Sequence, residues 1–142
     1  MRSAVIGWGS LVWDPRELSV SSEFSLSGPI LPIEFCRVSG NDKPPRRLTL
    51  VIDDDNGVQC QTYVALSAFD DLEAAKENLR VREGLAHVNG IGFAVKGGAS
   101  SARAIERHPK AVTAIETWLA ASDFDAVIWT ALPNNFAERA GE

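Results

Sequence analysis

The stretch Ser3-Ala4-Val5-Ile6-Gly7-Trp8-Gly9-Ser10-Leu11 governs how the rest of the chain is read. Its first four residues form a short run that ends in glycine, the pattern of a buried strand running into a glycine-rich loop. Such a loop first suggests dinucleotide binding. Gly7-x-Gly9 would then need a third glycine at position 12, which is Val12. A phosphate-binding P-loop also fails, because no Gly-Lys-Ser or Gly-Lys-Thr is present, and Ser10 lacks the second glycine of a nucleophile elbow.

Working outward, Leu31 to Val38 reads as a strand whose start tolerates Pro32, and Lys43-Pro44-Pro45 breaks regular structure after it. Leu48 to Ile52 and Val58 to Leu66 flank Asp53-Asp54-Asp55-Asn56-Gly57, and Asn-Gly between apolar runs predicts a β-hairpin. The period then changes. Phe69, Leu72, Ala75 and Leu79 recur at helical spacing, with Asp70 and Asp71 in the first turn, so a helix is expected that ends near Gly84. Ile91 to Val95 reads as a strand, and Gly97-Gly98 turns the chain. A second helix is expected from Pro109, presenting Val112, Ile115, Trp118 and Leu119 to the core. Ala126 to Leu132 is then a buried strand, and Pro133 to Glu142 turns polar, either capping an edge or marking lost elements. This order predicts an α+β fold, a mixed and mostly antiparallel sheet or partly closed barrel with flanking helices.

The 142 residues are expected to form one domain, large enough to bury a core without disulfides or metal. A net charge of -5 argues against nucleic acid or anionic lipid as a partner, since both need a dense basic face. No apolar run is long enough to span a membrane and no signal-peptide pattern opens the chain, so a cytoplasmic protein is expected. Cys36 and Cys60 lie in strand-like runs and read as reduced core residues. The three aspartates do not make an EF-hand: the glycine comes one residue early, and Val64 stands where a bidentate glutamate belongs. His87 and His108 have no ligand spacing around them and read as loop or helix-flank residues, so no metal is expected. Trp13, Trp118 and Trp129 have apolar neighbours and read as core.

One carboxylate is unusual. At ~100° per residue, Leu72, Ala75, Leu79 and Glu83 share one arc, so Glu83 projects from the apolar face of its helix. There it must be paired, protonated or held for chemistry, and desolvation would carry it from about 4.3 toward the range useful to a general base. The alternatives are that the helix has already ended, or that Glu83 pairs with Arg80 or Arg82.

The run Val5-Ile6-Gly7-Trp8-Gly9-Ser10-Leu11-Val12-Trp13-Asp14-Pro15 resembles the signature of the gamma-glutamylcyclotransferase superfamily, most of all its ChaC-type branch. In that branch a strand ends in Tyr-Gly-Ser-Leu followed by an aliphatic residue, Trp, any residue and Pro. Trp8 replaces the usual tyrosine. Phe35 to Ser39, Pro44-Pro45 and Gln59 to Val64 are similar in order to later blocks, and Leu79-Arg80-Val81-Arg82-Glu83-Gly84 resembles the block that carries the family's catalytic glutamate. The branch's Gly-Tyr pair has no counterpart, because Gly84 is followed by Leu85 and no tyrosine comes later. The resemblance implies a gamma-glutamylcyclotransferase-like domain over 1-142 in which Glu83 is the base. Gly7, Trp8, Gly9, Ser10 and Leu11 would grip a small γ-glutamyl amide or peptide, and 5-oxoproline would form with release of an amine or amino acid. No cofactor is implied, and the chain would act as a monomer or homodimer. The alternative is a non-catalytic small-molecule binding or regulatory module on the same fold.

Overall fold

The computed structural model describes residues 1–39, 47–55 and 57–132, with side chains left aside at 35–39 and 47–50. The expectations for Lys43-Pro44-Pro45 and for Pro133 to Glu142 lie outside the described residues. Helices and strands appear in the order β1 (Ser3–Gly7), α1 (Ser10–Trp13), β2 (Ile30–Ser39), β3 (Arg47–Ile52), β4 (Val58–Gln61), β5 (Tyr63–Leu66), α2 (Leu72–Glu83), β6 (Ile91–Val95), α3 (Ala102–Arg107), α4 (Pro109–Ala121) and β7 (Ala126–Thr130). A 3-10 turn, Val88–Gly90, precedes β6. The fold is α+β with mostly antiparallel pairing. The described strands make two separate sheets and no closed barrel, in the orders β5-β1-β7-β6 and β3-β2-β4.

β1 is antiparallel to β5 and parallel to β7, with Ser3 opposite Ala126 and Val5 opposite Ile128. Because side chains alternate across a strand, β1 and β7 supply two cores. Ala4, Ile6, Val127 and Trp129 face Val112, Ile115 and Leu119 of α4 together with Leu31, Ile33 and Ile52. Val5 and Ile128 face Ala75 and Leu79 of α2 with Leu11, Leu18 and Ile91. Both strands are buried from end to end, which is why they carry near-continuous apolar runs.

The expected hairpin at Asn56-Gly57 does not form. β3 and β4 do not pair with each other; each is antiparallel to β2, and Ile33 is opposite both Ile52 and Val58. Asp53 N–H donates to the Pro32 carbonyl of β2 at 2.9 Å, and Gly57 N–H closes a local turn on the Asp53 carbonyl at 2.9 Å. An Asn-Gly signal reports local turn chemistry, whereas partner choice here follows the central strand.

The run Val58 to Leu66, expected as one strand, is two strands in different sheets. Buried Thr62 makes the break. Its hydroxyl donates to the Pro29 carbonyl at 2.6 Å, and its own carbonyl accepts from Gly28 N–H at 3.0 Å. A Cβ on Gly28 would sit 2.4 Å from Thr62 Oγ1, so this crossing requires glycine.

The helix expected from Phe69 begins at Leu72. Asp71 is its N-cap, accepting from Ala74 N–H at 3.2 Å, so only Glu73 is acidic within the first turn. Gly84 ends it in the left-handed conformation, φ 68°, with its N–H turned back to the carbonyls of Arg80 and Val81. α4 starts at Pro109 as expected, and α3 before it is an additional short helix capped by the Ser101 hydroxyl.

Candidate functional site

The glycine loop leaves β1 at Gly7, on the edge of the sheet where β1 and β7 both end. Gly7 is buried, and a Cβ there would meet the Phe24 ring at 3.0 Å. Gly9 adopts φ 63°, ψ -142°, a region open to glycine, and serves as the N-cap of α1. Val12 N–H donates to the Gly9 carbonyl at 3.1 Å and Asp14 N–H to the Ser10 carbonyl at 2.8 Å, which closes the single turn. Within it the expected site residues separate. Ser10 is exposed, Trp8 is half-buried against the α4-side core, and the Leu11 side chain is buried in the α2-side core. Leu11 therefore contributes backbone rather than side chain to any ligand surface.

Glu83 is the last residue of α2, and its side chain is 22% exposed. It leans toward the sheet, where Thr130 Oγ1 donates to Glu83 Oε1 at 2.8 Å. Thr130 closes β7 on the Ile128 side of the sheet, the α2 side. Continuing the β1–β7 register from Val5 opposite Ile128 sets Thr130 level with Gly7. The carboxylate thus stands at the edge from which the loop departs.

Arg82 makes a second connection. Its side chain is 6% exposed, its Nε and Nη2 donate to the Asp14 carbonyl at 3.2 and 2.8 Å, and its Nη1 is 3.4 Å from Glu83 Oε2. One guanidinium therefore spans the exit of α1 and the end of α2. A carboxylate at a helix C-terminus opposes the partial negative charge there. The Thr130 hydroxyl and the Arg82 guanidinium offset that placement. Arg80 turns away, pairing with Glu77 and donating to the Leu85 carbonyl at 2.6 Å. Its ion pair lowers the Glu77 carboxyl and raises the guanidinium, chiefly through the hydrogen bond between them.

Thr130 is the site residue that periodicity missed. Its only sequence signal is a hydroxyl two positions after Ile128, on the same face near the end of a buried strand. The tryptophans divide. Trp129 is fully buried and Trp118 half-buried, but Trp13 is 72% exposed, so the core assignment fails for it. α1 has a single turn, and its inward position is taken by Leu11.

His87 is exposed beside the 3-10 turn, and His108 is buried between α3 and α4. Burial pushes the His108 imidazole below its ordinary value and Arg107 adds to this, while Asp54, Asp53 and a backbone hydrogen bond to Ile52 oppose it. Among the described residues no group of three or more His, Cys, Asp or Glu is placed to hold a metal ion, and no helix is long and apolar enough to cross a membrane. Cys60 is free and half-buried against the α4-side core. A cavity of about 210 Å³ opens between Val95–Gly98 and Glu116, Leu119 and Ala120. It lies at the opposite end of the sheet from Thr130, since Val95 pairs with Ala126 and Ile91 with Thr130. Comparison with protein-family models, curated proteins and solved structures returned no match for this chain.

Proposed function

We propose that the protein is a gamma-glutamylcyclotransferase-like enzyme that cyclises a small γ-glutamyl amide or peptide to 5-oxoproline. The reading rests on the resemblance of the Gly7–Leu11 and Leu79–Gly84 runs. The observation that carries it further is the Thr130–Glu83 hydrogen bond, which holds the carboxylate at the sheet edge where the glycine loop begins. In the reaction, the substrate's α-amino nitrogen attacks its own γ-carbonyl carbon. A C–N bond forms, the N–H proton passes to Glu83, and the carbonyl oxygen becomes an oxyanion facing the backbone N–H groups of Gly9 to Leu11. Collapse of that intermediate breaks the bond to the leaving nitrogen, which takes the proton back from Glu83 and departs as an amine. The attack is intramolecular, so a fixed, folded substrate and one well-placed base supply much of the acceleration.

Glu83→Gln is expected to keep the fold and to abolish 5-oxoproline release across a panel of γ-glutamyl dipeptides and γ-glutamylamines followed by mass spectrometry. Turnover by the wild type that survives this substitution would remove Glu83 from the chemistry, and no turnover on the whole panel would remove the reaction. One observation favours the alternative of a binding or regulatory module: both oxygens of Glu83 already have a protein partner. That module would bind a γ-glutamyl ligand saturably with no product formed.

A further inference from the structure

We infer that Thr130 and Arg82 are positioning residues that fix the orientation of the Glu83 carboxylate, leaving Oε2 as the oxygen that exchanges the proton. The inference deepens the cyclotransferase reading and rests on it for its kinetic consequence, but its geometric content stands alone. A glutamate at the end of a helix has rotatable χ angles and, unheld, spends little time in any one orientation. Here three links act on it. Thr130 Oγ1 donates to Oε1 at 2.8 Å, a hydrogen bond of ordinary length from a residue that is 9% exposed and carried by a strand buried along its whole length. Arg82 Nη1 approaches Oε2 at 3.4 Å, at the long limit of a hydrogen bond, so Oε2 is the more loosely engaged of the two oxygens. The third link is indirect: Arg82 is itself anchored on the Asp14 carbonyl through two donors, which ties the carboxylate's neighbour to the chain leaving the glycine loop.

The division of labour follows from rigidity. The Thr130 donor sits on the sheet and the Arg82 donors on the helix, so the carboxylate is referenced to β7 and to the exit of α1 together. A misplacement of about 1 Å in a reacting group costs up to roughly 100-fold in rate, which is the scale on which such a holder acts.

Thr130→Val keeps the shape and removes the donor, and Thr130→Ser restores the donor. In the kinetic arm, Thr130→Val is expected to lower kcat roughly 10- to 100-fold with KM little changed, and Thr130→Ser to recover most of it. Equal losses in both variants, or an unchanged kcat in Thr130→Val, would overturn the inference. The second arm needs no turnover. The side-chain carboxyl 13C resonance of Glu83, assigned by its loss in Glu83→Gln, is expected to move in Thr130→Val and to return in Thr130→Ser. A resonance that does not move would overturn the inference whatever the substrate. If Thr130→Val does not fold, the same resonance is read in Arg82→Lys, which keeps the charge but loses the fork across Asp14 and Glu83. A shift there supports the holder and its absence overturns it. A wild type without turnover but with resonances that move as stated would sink the cyclotransferase reading and leave the holder standing.

Discussion

At the residue scale, the chain places several polar groups where burial alone disfavours them, and their partners explain which are tolerated. Lys76 lies on the buried face of α2, and its ammonium is paired with Glu73 at 3.1 Å and sits over the Phe93 ring at 4.3 Å. His108 is the contrasting case, because its Nδ1 has no partner among the described residues and burial disfavours its charged form. In the unfolded chain the imidazole takes up a proton near its ordinary value of about 6.5; in the folded chain it resists. The unfolded state therefore binds more protons in this range, so stability falls as pH drops through about 6.5. Thermal unfolding should show a lower midpoint at about pH 5.5 than at about pH 7, and a smaller drop in His108→Gln. An equal drop in the variant would assign the acid sensitivity elsewhere.

At the element scale, the aspartate cluster illustrates how a motif changes meaning once its neighbours are known. As sequence, Asp53-Asp54-Asp55 is a turn; in the fold it also starts a helix 55 residues away. Asp53 accepts from Asp55 N–H at 3.1 Å, holding the local turn. Asp54 accepts from Lys110 N–H at 2.8 Å and from Ala111 N–H at 3.2 Å, so it caps the N-terminus of α4, whose own preceding residue, His108, supplies no side-chain cap. The negative charge also suits the helix dipole. Asp54→Ala should cost about 1 kcal/mol, read as a lower midpoint in urea. Asp55→Ala, on an exposed neighbour, should change it by less than about 0.5 kcal/mol. Equal effects would deny Asp54 the capping role.

The boundaries of α2 show how much of an element its own sequence writes. The apolar spacing of Leu72, Ala75 and Leu79, the stop at Gly84 and the arc that includes Glu83 were all legible, because each depends on residues within a turn of one another. The same helical wheel put Glu83, not Arg82, on the apolar arc. Packing reverses that order: Arg82 is the more buried of the two, and it reaches across to Asp14. Trp13 failed as a core residue for a related reason. Apolar neighbours in sequence do not bury a side chain when the element carrying it is a single turn with one inward position.

At the scale of the whole molecule, the four-stranded sheet divides the interior into an α2 side and an α4 side. Ile91 belongs to the first and Ile115 to the second, and both are buried to 2% exposure or less. Ile91→Val and Ile115→Val should each cost about 0.5–1.5 kcal/mol. Because the sheet stands between them, the double variant should equal their sum within about 0.5 kcal/mol in a single unfolding transition. A larger departure would show the two cores to be coupled.

By itself the sequence determined the α+β class, the positions of the strands apart from the break at Thr62, those of α2 and α4 but not of the short α1 and α3, the glycine turn at Gly7–Gly9 and the helix end at Glu83. These features arise from periodicity, capping and turn chemistry, which act over a few neighbouring residues. Only the tertiary structure decided that β2 separates β3 from β4, that Thr62 sends one apolar run into two sheets, and that Glu83 rests on Thr130. It also decided that Arg82 joins the end of α2 to Asp14. The side-chain hydrogen bonds among them link residues separated by 33 to 68 positions, and strand register and the direction of each side chain bring them together. No local propensity encodes that choice.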